Sequence, residues 1–243
     1  MTGALLLPLI LGVASVDPRV VEAQQLAAHG ETSAARGQYA AILDDLQAAG
    51  APGSAALHYD LGTLALVDGD VGAAMLHLLA ASRRDPGHED IAYNLARAQE
   101  ARQDRVESST SSPASWASAL GGRLPPRGVR VVAGLVAALL GLVLALRGAL
   151  GPRVPPAMTV GAAAVASLAF AAWGARSAFE RRAVVVVVEA TTARSSPDAQ
   201  AAGFDVHPGL SGERVDEAAG WWRVRLENGL DVWVDVDAAR LVP

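Results

Sequence analysis

The chain contains no cysteine among its 243 residues, and this absence excludes several classes of chemistry. Without a thiol there is no disulfide, no thiolate nucleophile, no cysteine-ligated zinc site and no iron–sulfur cluster. Lysine is absent as well, so all 20 basic residues are arginines. The formal net charge is -5 and no segment forms a basic stripe, which argues against nucleic-acid binding.

Aromatic residues make up only 5% of the chain, whereas 51% of its residues are apolar, a mixture typical of helices and membrane spans. Catalytic motifs are also missing, because there is neither a phosphate-binding glycine loop nor a nucleophile elbow. The histidines are scattered, and none pairs with another histidine or a carboxylate at helical metal spacing. We therefore expect a protein that is not an enzyme and that holds no metal or cofactor.

Three apolar stretches predict how the chain meets a membrane. The first, residues 4–13, is shorter than the about 20 residues of a span, and small residues follow it. It fits a secretory signal peptide over 1–16, with an ordinary buried N-terminal helix as the alternative. The other two, 128–147 and 154–175, are long and apolar enough to form a transmembrane helical hairpin around a tight polar turn.

A hairpin places the regions before and after it on the same side of the membrane. Arginines are more frequent at the outer ends of the hairpin than in its turn, so the positive-inside rule favours cytoplasmic termini. A signal peptide and the C-terminal module described below favour the outside instead. We expect a bacterial inner-membrane protein with both soluble domains in the periplasm, and the cytoplasmic alternative stays open.

Residues 17–107 alternate apolar and polar residues at helical spacing between glycine and proline breaks. Ser54 to Gly87 resembles a tetratricopeptide repeat, a pattern of about 34 residues. Leu61-Gly62 opens this unit, Gly69-Asp70 forms the turn between its helices and Pro86 closes it. Glycine at the crossing of the two helices allows close approach, and proline cannot continue a helix.

The neighbouring segments match the repeat less well. Ala35 to Pro52 resembles the second half of a preceding unit, with Gly37 and Tyr39 in its turn. Glu89 to Asp104 resembles the first helix of a following unit. Stacked units share a core and terminal units are often atypical, so we expect an all-α tetratricopeptide solenoid of about two to three units.

Tetratricopeptide arrays bind peptides or partner proteins on a concave face built mainly from the first helix of each unit. The resemblance implies a groove at Tyr59, Asp60, Thr63, Val67, Tyr93, Asn94 and Arg97. For each of these residues the alternative is an exposed or half-packed position on an ordinary helix. The family often has asparagine where Asp60 stands, so binding of a carboxylate tail does not follow from the resemblance.

A segment rich in serine, alanine and glycine, 108–127, reads as a linker to the hairpin. Within it, Trp116 is either an anchor at the membrane surface or a stray linker aromatic.

After Arg182 the pattern changes to period two, and Val184–Val188 predicts a first strand with both faces buried. We expect about five or six short strands closing into a small all-β barrel over 183–243.

Four short segments of this module resemble bacterial SH3-like (SH3b) domains. They are Arg194-Ser195-Ser196-Pro197, Gly220-Trp221-Trp222-Arg223-Val224, Asn228-Gly229 and Trp233-Val234. Such domains are mostly extracytoplasmic, and many bind cell-wall peptides or protein segments. The resemblance implies Trp221, Trp222 and Trp233 as candidate contact residues, with packing in the barrel core as the alternative for each.

The order of these parts predicts a multidomain membrane protein and resembles the BatE-like proteins of the bacterial aerotolerance operons. That resemblance implies a non-catalytic membrane-anchored scaffold in a Bat-type envelope-stress complex, and hence a hetero-oligomer. The implied partners are von Willebrand A-domain membrane proteins, a BatD-like protein and a MoxR-type ATPase system. The alternative is a protein that binds or senses peptidoglycan through its SH3b domain.

Overall fold

The computed structural model describes residues 17–106, 121–151 and 155–243. The predicted signal peptide, Trp116 and most of the predicted linker lie outside these ranges. The described chain consists of a helical part, two long apolar helices and an antiparallel sheet. Three kinds of structure therefore follow one another in the order that the sequence predicts.

The helical part occupies 17–106. Its helices are α1 (Pro18–Ala28), α2 (Thr32–Ala48), α3 (Ala55–Val67), α4 (Val71–Arg84) and α5 (Glu89–Ala101). The side chains of Asp17, Ser54 and Asp70 each accept a hydrogen bond from a backbone N–H in the first turn of α1, α3 and α4. These caps fix where the helices begin, because the first N–H groups of a helix have no partner within it.

Three of the connecting turns contain a glycine with the same positive φ. The angle is 80° at Gly30 between α1 and α2, 76° at Gly50 between α2 and α3, and 77° at Gly69 between α3 and α4, a region that glycine adopts at little cost. The turn predicted at Gly69 is confirmed. The turn predicted at Gly37 and Tyr39 is wrong, because both residues lie inside α2 and Tyr39 is buried in the core.

Helices α3 and α4 make the closest crossing of the helical part, at Gly62. A Cβ atom at this position would lie 2.7 Å from Cγ of Leu78 and 3.0 Å from its backbone nitrogen. The side chains of Leu78 and Met75 are almost completely buried beside it. Close approach at Gly62, expected from the repeat pattern, is therefore confirmed.

The two apolar helices, α6 (Pro126–Leu150) and α7 (Pro156–Glu180), are both long and apolar enough to cross a membrane. Their most apolar windows have mean hydropathies of 2.5 and 1.6, and few residues in these windows are buried inside the protein. The first helix extends two to three residues beyond the span predicted at 128–147 at both ends, whereas the second begins two residues after the start of the span predicted at 154–175 and ends five residues beyond it. The end of the predicted linker is packed, since Gly121 and Gly122 lie against Ala175 and Phe179 of α7.

The C-terminal sheet is antiparallel throughout. Its strands are β1 (Val184–Val187), β2 (Thr191–Arg194), β3 (Gly203–Val206), β4 (Ser211–Ala218), β5 (Trp221–Leu226), β6 (Asp231–Asp235) and β7 (Ala239–Leu241). The sheet has 7 strands, more than the number expected, in the order β3-β2-β6-β5-β4-β1-β7. Its edges β3 and β7 do not pair with each other, yet Val206 and Ala239 from these two strands belong to one apolar core. The sheet therefore curls around that core while remaining open.

The valine run is a strand buried on both faces, as predicted. Val185 and Val187 lie in the core of the sheet. Val186 points the other way and is buried in a second cluster with Met75 and Leu78 of α4. Alternate residues of a strand face opposite sides, so a strand between a sheet core and a helix needs an apolar residue at every position.

Close backbone contacts join the helical part to the sheet. A Cβ on Gly72 at the start of α4 would lie 2.9 Å from the Val188 backbone, so only glycine fits without a shift. Asp104, after α5, accepts a hydrogen bond from the His207 backbone N–H at 2.6 Å and contacts its Nδ1 at 3.0 Å. The two soluble parts thus pack directly against each other.

Two glycines inside helices allow a matched test of the crossing between α3 and α4. We expect Gly62→Ala to lower the free energy of unfolding by about 1 to 3 kcal/mol, because its methyl group would overlap Leu78. Gly37→Ala, with nothing within 4 Å of its Cβ, should instead raise it by about 0.5 to 1 kcal/mol. Denaturant unfolding of the two variants in detergent measures both changes, and equal effects would contradict the crossing.

Candidate functional site

The predicted groove residues lie on α3 and α5, and the structure brings three of them into direct contact. The Asn94 side-chain amide donates hydrogen bonds to the Tyr59 hydroxyl at 3.3 Å and to the Thr63 hydroxyl at 3.0 Å. The Tyr59 ring also lies 6.1 Å from the ring of His88, which precedes α5. Asn94 therefore joins α5 to α3 and sets the spacing between the two walls of the groove.

The rim of the groove is apolar and exposed. Val67 at the end of α3 is 68% exposed, and Tyr93 on α5 is 64% exposed. The exposed Arg97 guanidinium lies 5.9 Å from the centroid of the Tyr93 ring. An exposed aromatic ring with a cation over its face offers apolar area and positive charge to a peptide or protein segment.

Asp60 faces away from this rim. Its carboxylate hydrogen-bonds to Tyr39 of α2, and burial raises its pKa above the usual value. The same burial, with the Asp60 charge as a further cause, raises the pKa of Tyr39 to about 12. The structure thus assigns Asp60 to the packing of α2 on α3, although the sequence pattern placed it in the groove.

A second candidate surface lies on the outer face of the sheet. Trp233 of β6 is paired across strands with both Arg223 of β5 and Arg194 of β2. The Arg223 guanidinium lies 5.9 Å from the Trp233 ring centroid, and the Arg194 guanidinium 5.8 Å from that of Trp221. We call these four residues the tryptophan–arginine patch.

Trp222 is separated from that patch. It lies on the core side of β5 with Val224 and Leu226, and it packs against the apolar core of the sheet. The Arg214 guanidinium lies 5.5 Å from its ring centroid. Of the three tryptophans predicted as contacts, Trp221 and Trp233 share an outer face, whereas Trp222 belongs to the margin of the core.

The structure also pairs two histidines that are far apart in the sequence. His58 Nε2 lies 2.9 Å from the Pro52 carbonyl oxygen, so this nitrogen carries the proton, because a carbonyl only accepts. His58 Nδ1 then accepts from His77 Nδ1 at 3.2 Å, and the rings are stacked 5.5 Å apart. Burial lowers the pKa of both rings, that of His77 to about 4 with the His58 ring as a further cause.

Metal ligation finds no support within the ranges that the structure describes. No group of three or more His, Asp or Glu residues lies close enough there to hold an ion. Among the described residues no carboxylate is hydrogen-bonded to the histidine pair. His58 Nε2 is bound to Pro52, and the two Nδ1 atoms are bound to each other. The pair therefore functions as a structural contact between α3 and α4.

Comparison of the chain with protein-family models, with curated proteins and with solved structures finds no match in any of the three. The tetratricopeptide, SH3b and BatE-like resemblances accordingly stay predictions. The groove and the tryptophan–arginine patch are the two candidate sites on the soluble parts of the protein.

Several of these contacts have no signal in the sequence. Tyr39 reaches Asp60, and His58 reaches His77, across turns whose geometry local patterns do not encode. Arg194 and Trp221 meet because β2 and β5 flank β6, a strand order that alternation alone does not give. Alternate residues of a strand face opposite sides, so the adjacent positions of Trp221 and Trp222 in the sequence are a signal that only one of them lies in the patch.

The histidine pair predicts an acid-dependent loss of stability. Unfolded histidine has a pKa near 6.5, and the lower folded values mean that the unfolded chain binds more protons. The free energy of unfolding should therefore fall as the pH drops below 6.5, by about 2 to 3 kcal/mol at pH 4. Protonation of His58 at Nδ1 would remove the acceptor of the hydrogen bond from His77 Nδ1, because two N–H donors would then face each other.

Denaturant unfolding as a function of pH measures this loss. His77→Gln keeps a donor for His58 but does not titrate, so its stability should fall less between pH 6.5 and 4 than that of the unaltered chain. His29→Gln serves as the control, because His29 is exposed on the end of α1 and contacts only the Gln25 carbonyl. A His77→Gln profile that parallels the unaltered chain would contradict the assignment.

Proposed function

We propose that this protein is a non-catalytic, membrane-anchored scaffold that binds partner proteins through the groove between α3 and α5. One observation carries this proposal: the groove combines an internally hydrogen-bonded floor at Asn94 with an exposed apolar rim at Val67 and Tyr93. A large exposed aromatic beside a structured polar floor is typical of a recognition surface.

The position of the groove supports the same function. The helical part packs on the sheet through β1, and it is linked to the end of α7 by Arg83 and Arg176. These contacts hold the groove close to the two helices that are able to cross a membrane. A partner in the groove would thus be held near the bilayer, which is what a membrane scaffold requires.

The finer proposal follows the sequence resemblances. We infer tetratricopeptide-type repeats, an SH3b-type sheet domain and a place in a Bat-type complex of the bacterial inner membrane, with both soluble parts in the periplasm. The partners would be von Willebrand A-domain membrane proteins, a BatD-like protein and a MoxR-type ATPase system. Glycine turns of matching φ at Gly30, Gly50 and Gly69 join successive helices and support a regular helical array.

Truncation of the exposed rim tests the groove. We expect the double variant Val67→Ala, Tyr93→Ala to reduce co-purification of von Willebrand A-domain membrane proteins about tenfold or more. Both side chains are largely exposed, so the free energy of unfolding should remain unchanged. Affinity purification from detergent-solubilised membranes, followed by protein identification, provides the measurement.

Leu230→Ala is the matched control for the rim variant. Leu230 is a large apolar residue of the β5–β6 turn, 48% exposed and remote from the groove. Its truncation should leave the same proteins bound. If the rim variant retained its partners at the level of the control, the groove would not be their binding site.

Binding of the bacterial cell wall is a second candidate function, favoured by the tryptophan–arginine patch. The Nε atoms of Arg194 and Arg223 are buried without a hydrogen-bond partner in the described part of the chain. Such donors beside half-buried tryptophans suit a peptide that carries carboxylates. We would prefer cell-wall binding to partner binding in the groove if the full-length protein bound purified sacculi and lost this binding with Trp233→Ala but not with Tyr93→Ala.

The side of the membrane is tested by paired reporters. Alkaline phosphatase fused after Pro243 should be active and β-galactosidase fused there inactive, because both soluble parts are expected outside. The same reporters fused after Gly151, between α6 and α7, should give the opposite pattern. Active β-galactosidase at the C-terminus would place both soluble parts in the cytoplasm.

A further inference from the structure

An arginine-lined pocket lies where the soluble parts meet the base of the helical hairpin. It has a volume of about 760 Å³. The charged residues that matter to its chemistry are Arg83, Arg84, Arg127, Arg130, Arg176 and Glu180. They come from the end of α4, the start of α6 and the end of α7, so the fold assembles the pocket from segments that are distant in the sequence.

The pocket holds more positive than negative side chains. Glu180 is shared, because it pairs with Arg130 at 2.8 Å and with Arg176 at 3.1 Å. Asp85, the other carboxylate in the lining, is exposed at the outer margin. Arg84 donates to backbone oxygens, those of Pro52, Gly53, Ala80 and Pro243.

One donor of the pocket is buried with no partner. Arg83 Nη2 donates to the Glu180 carbonyl oxygen at 3.0 Å, but its Nη1 has no hydrogen-bond partner among the described residues. Burial lowers the pKa of Arg83, and the charge of Arg176 lowers it further. A buried N–H of a cation without an acceptor is costly, and a bound anion would remove that cost.

Arg176 holds Arg83 in this position. It is only 2% exposed, and it donates to the Arg83 carbonyl oxygen at 2.8 Å. The guanidinium groups of Arg83 and Arg176 lie 5.4 and 5.3 Å from the Phe179 ring centroid. Two cations are thus fixed around one ring before any ligand arrives, which lowers the entropic cost of binding an anion.

The location of the pocket indicates the source of the anion. Arg127 and Arg130 are in the first turns of α6, and the exposed apolar residues Val131 and Val132 follow immediately. This is the level at which lipid phosphates lie if α6 and α7 cross a bilayer, and basic pockets at this level bind anionic headgroups. No side chain caps the start of α6, whose free N–H groups add further donors.

We propose that this pocket binds a phosphate group, supplied by an anionic phospholipid of the surrounding bilayer. The bidentate geometry of arginine suits phosphate oxygens, and the arrangement allows Arg83 to use its unpartnered Nη1 as one of the donors. The bound headgroup would connect the helical part, the hairpin and the lipid at one point. This inference requires the hairpin to lie in a bilayer but does not require the groove to bind a partner.

Native mass spectrometry of the full chain in detergent tests the proposal, with phosphatidylglycerol and phosphatidylcholine as probes. Phosphatidylglycerol should bind at least fivefold more tightly. Arg127→Gln and Arg83→Gln should each weaken its binding about fivefold. Arg127 is exposed, so its variant remains informative if Arg83→Gln does not fold.

Arg181→Gln is the matched control, since it removes an exposed arginine just after α7 that does not line the pocket. It should leave phosphatidylglycerol binding unchanged. An equal loss in this control, or no preference for phosphatidylglycerol, would overturn the proposal. Displacement of the lipid by millimolar inorganic phosphate would assign the site to soluble phosphate and overturn the lipid as its source.

The proposal for the groove and the proposal for the pocket can be disproved independently of each other. The Val67→Ala, Tyr93→Ala variant should still bind phosphatidylglycerol, because both residues are outside the pocket lining. A variant that loses partner proteins but keeps the lipid would support both proposals. If Arg127→Gln and the rim variant each affected both ligands, the two sites would not be distinct, and the pocket proposal would be wrong.

Discussion

Strand β1 packs Val185 and Val187 into the core of the sheet and Val186 against α4. Complete burial of a valine side chain contributes about 1.5 to 3 kcal/mol, so Val186 alone contributes substantially to the contact between the helical part and the sheet. The close approach of Gly72 to the Val188 backbone leaves no room for a side chain at this contact. A polar residue at Val186 would disrupt the packing of β1 on α4, and the rest of the architecture depends on this strand.

The same contact decides what the surfaces are able to do. Because the sheet covers α4, the side of the helical part that remains open is the one formed by α3 and α5, with Tyr93 on its rim. The end of α4 is then directed at the hairpin, where Arg83 and Arg176 exchange hydrogen bonds with backbone carbonyls. The groove residues on α3 and α5 and the lining of the arginine pocket share no residue, so the two proposed sites can be tested separately.

Local features of the sequence anticipated much of the fold. The length and apolarity of two stretches predicted the helices α6 and α7, Gly69 predicted a turn, and the valine run predicted a strand with two buried faces. Each of these signals is a property of a few consecutive residues. The prediction at Gly37 was wrong because an exposed glycine within a helix looks like a turn when the real turn, at Gly30, is not recognised.

By itself the sequence determined the kinds of elements, their order and the apolar lengths able to cross a membrane, because these depend on backbone propensity and hydrophobic periodicity. Only the tertiary structure decided which side chains share a site. It assigned Asp60 to Tyr39 rather than to the groove, paired His58 with His77, and placed Arg83 beside Arg176. Such pairs join segments that are distant in the chain, and their partners are chosen by how helices and strands pack, which no local pattern records.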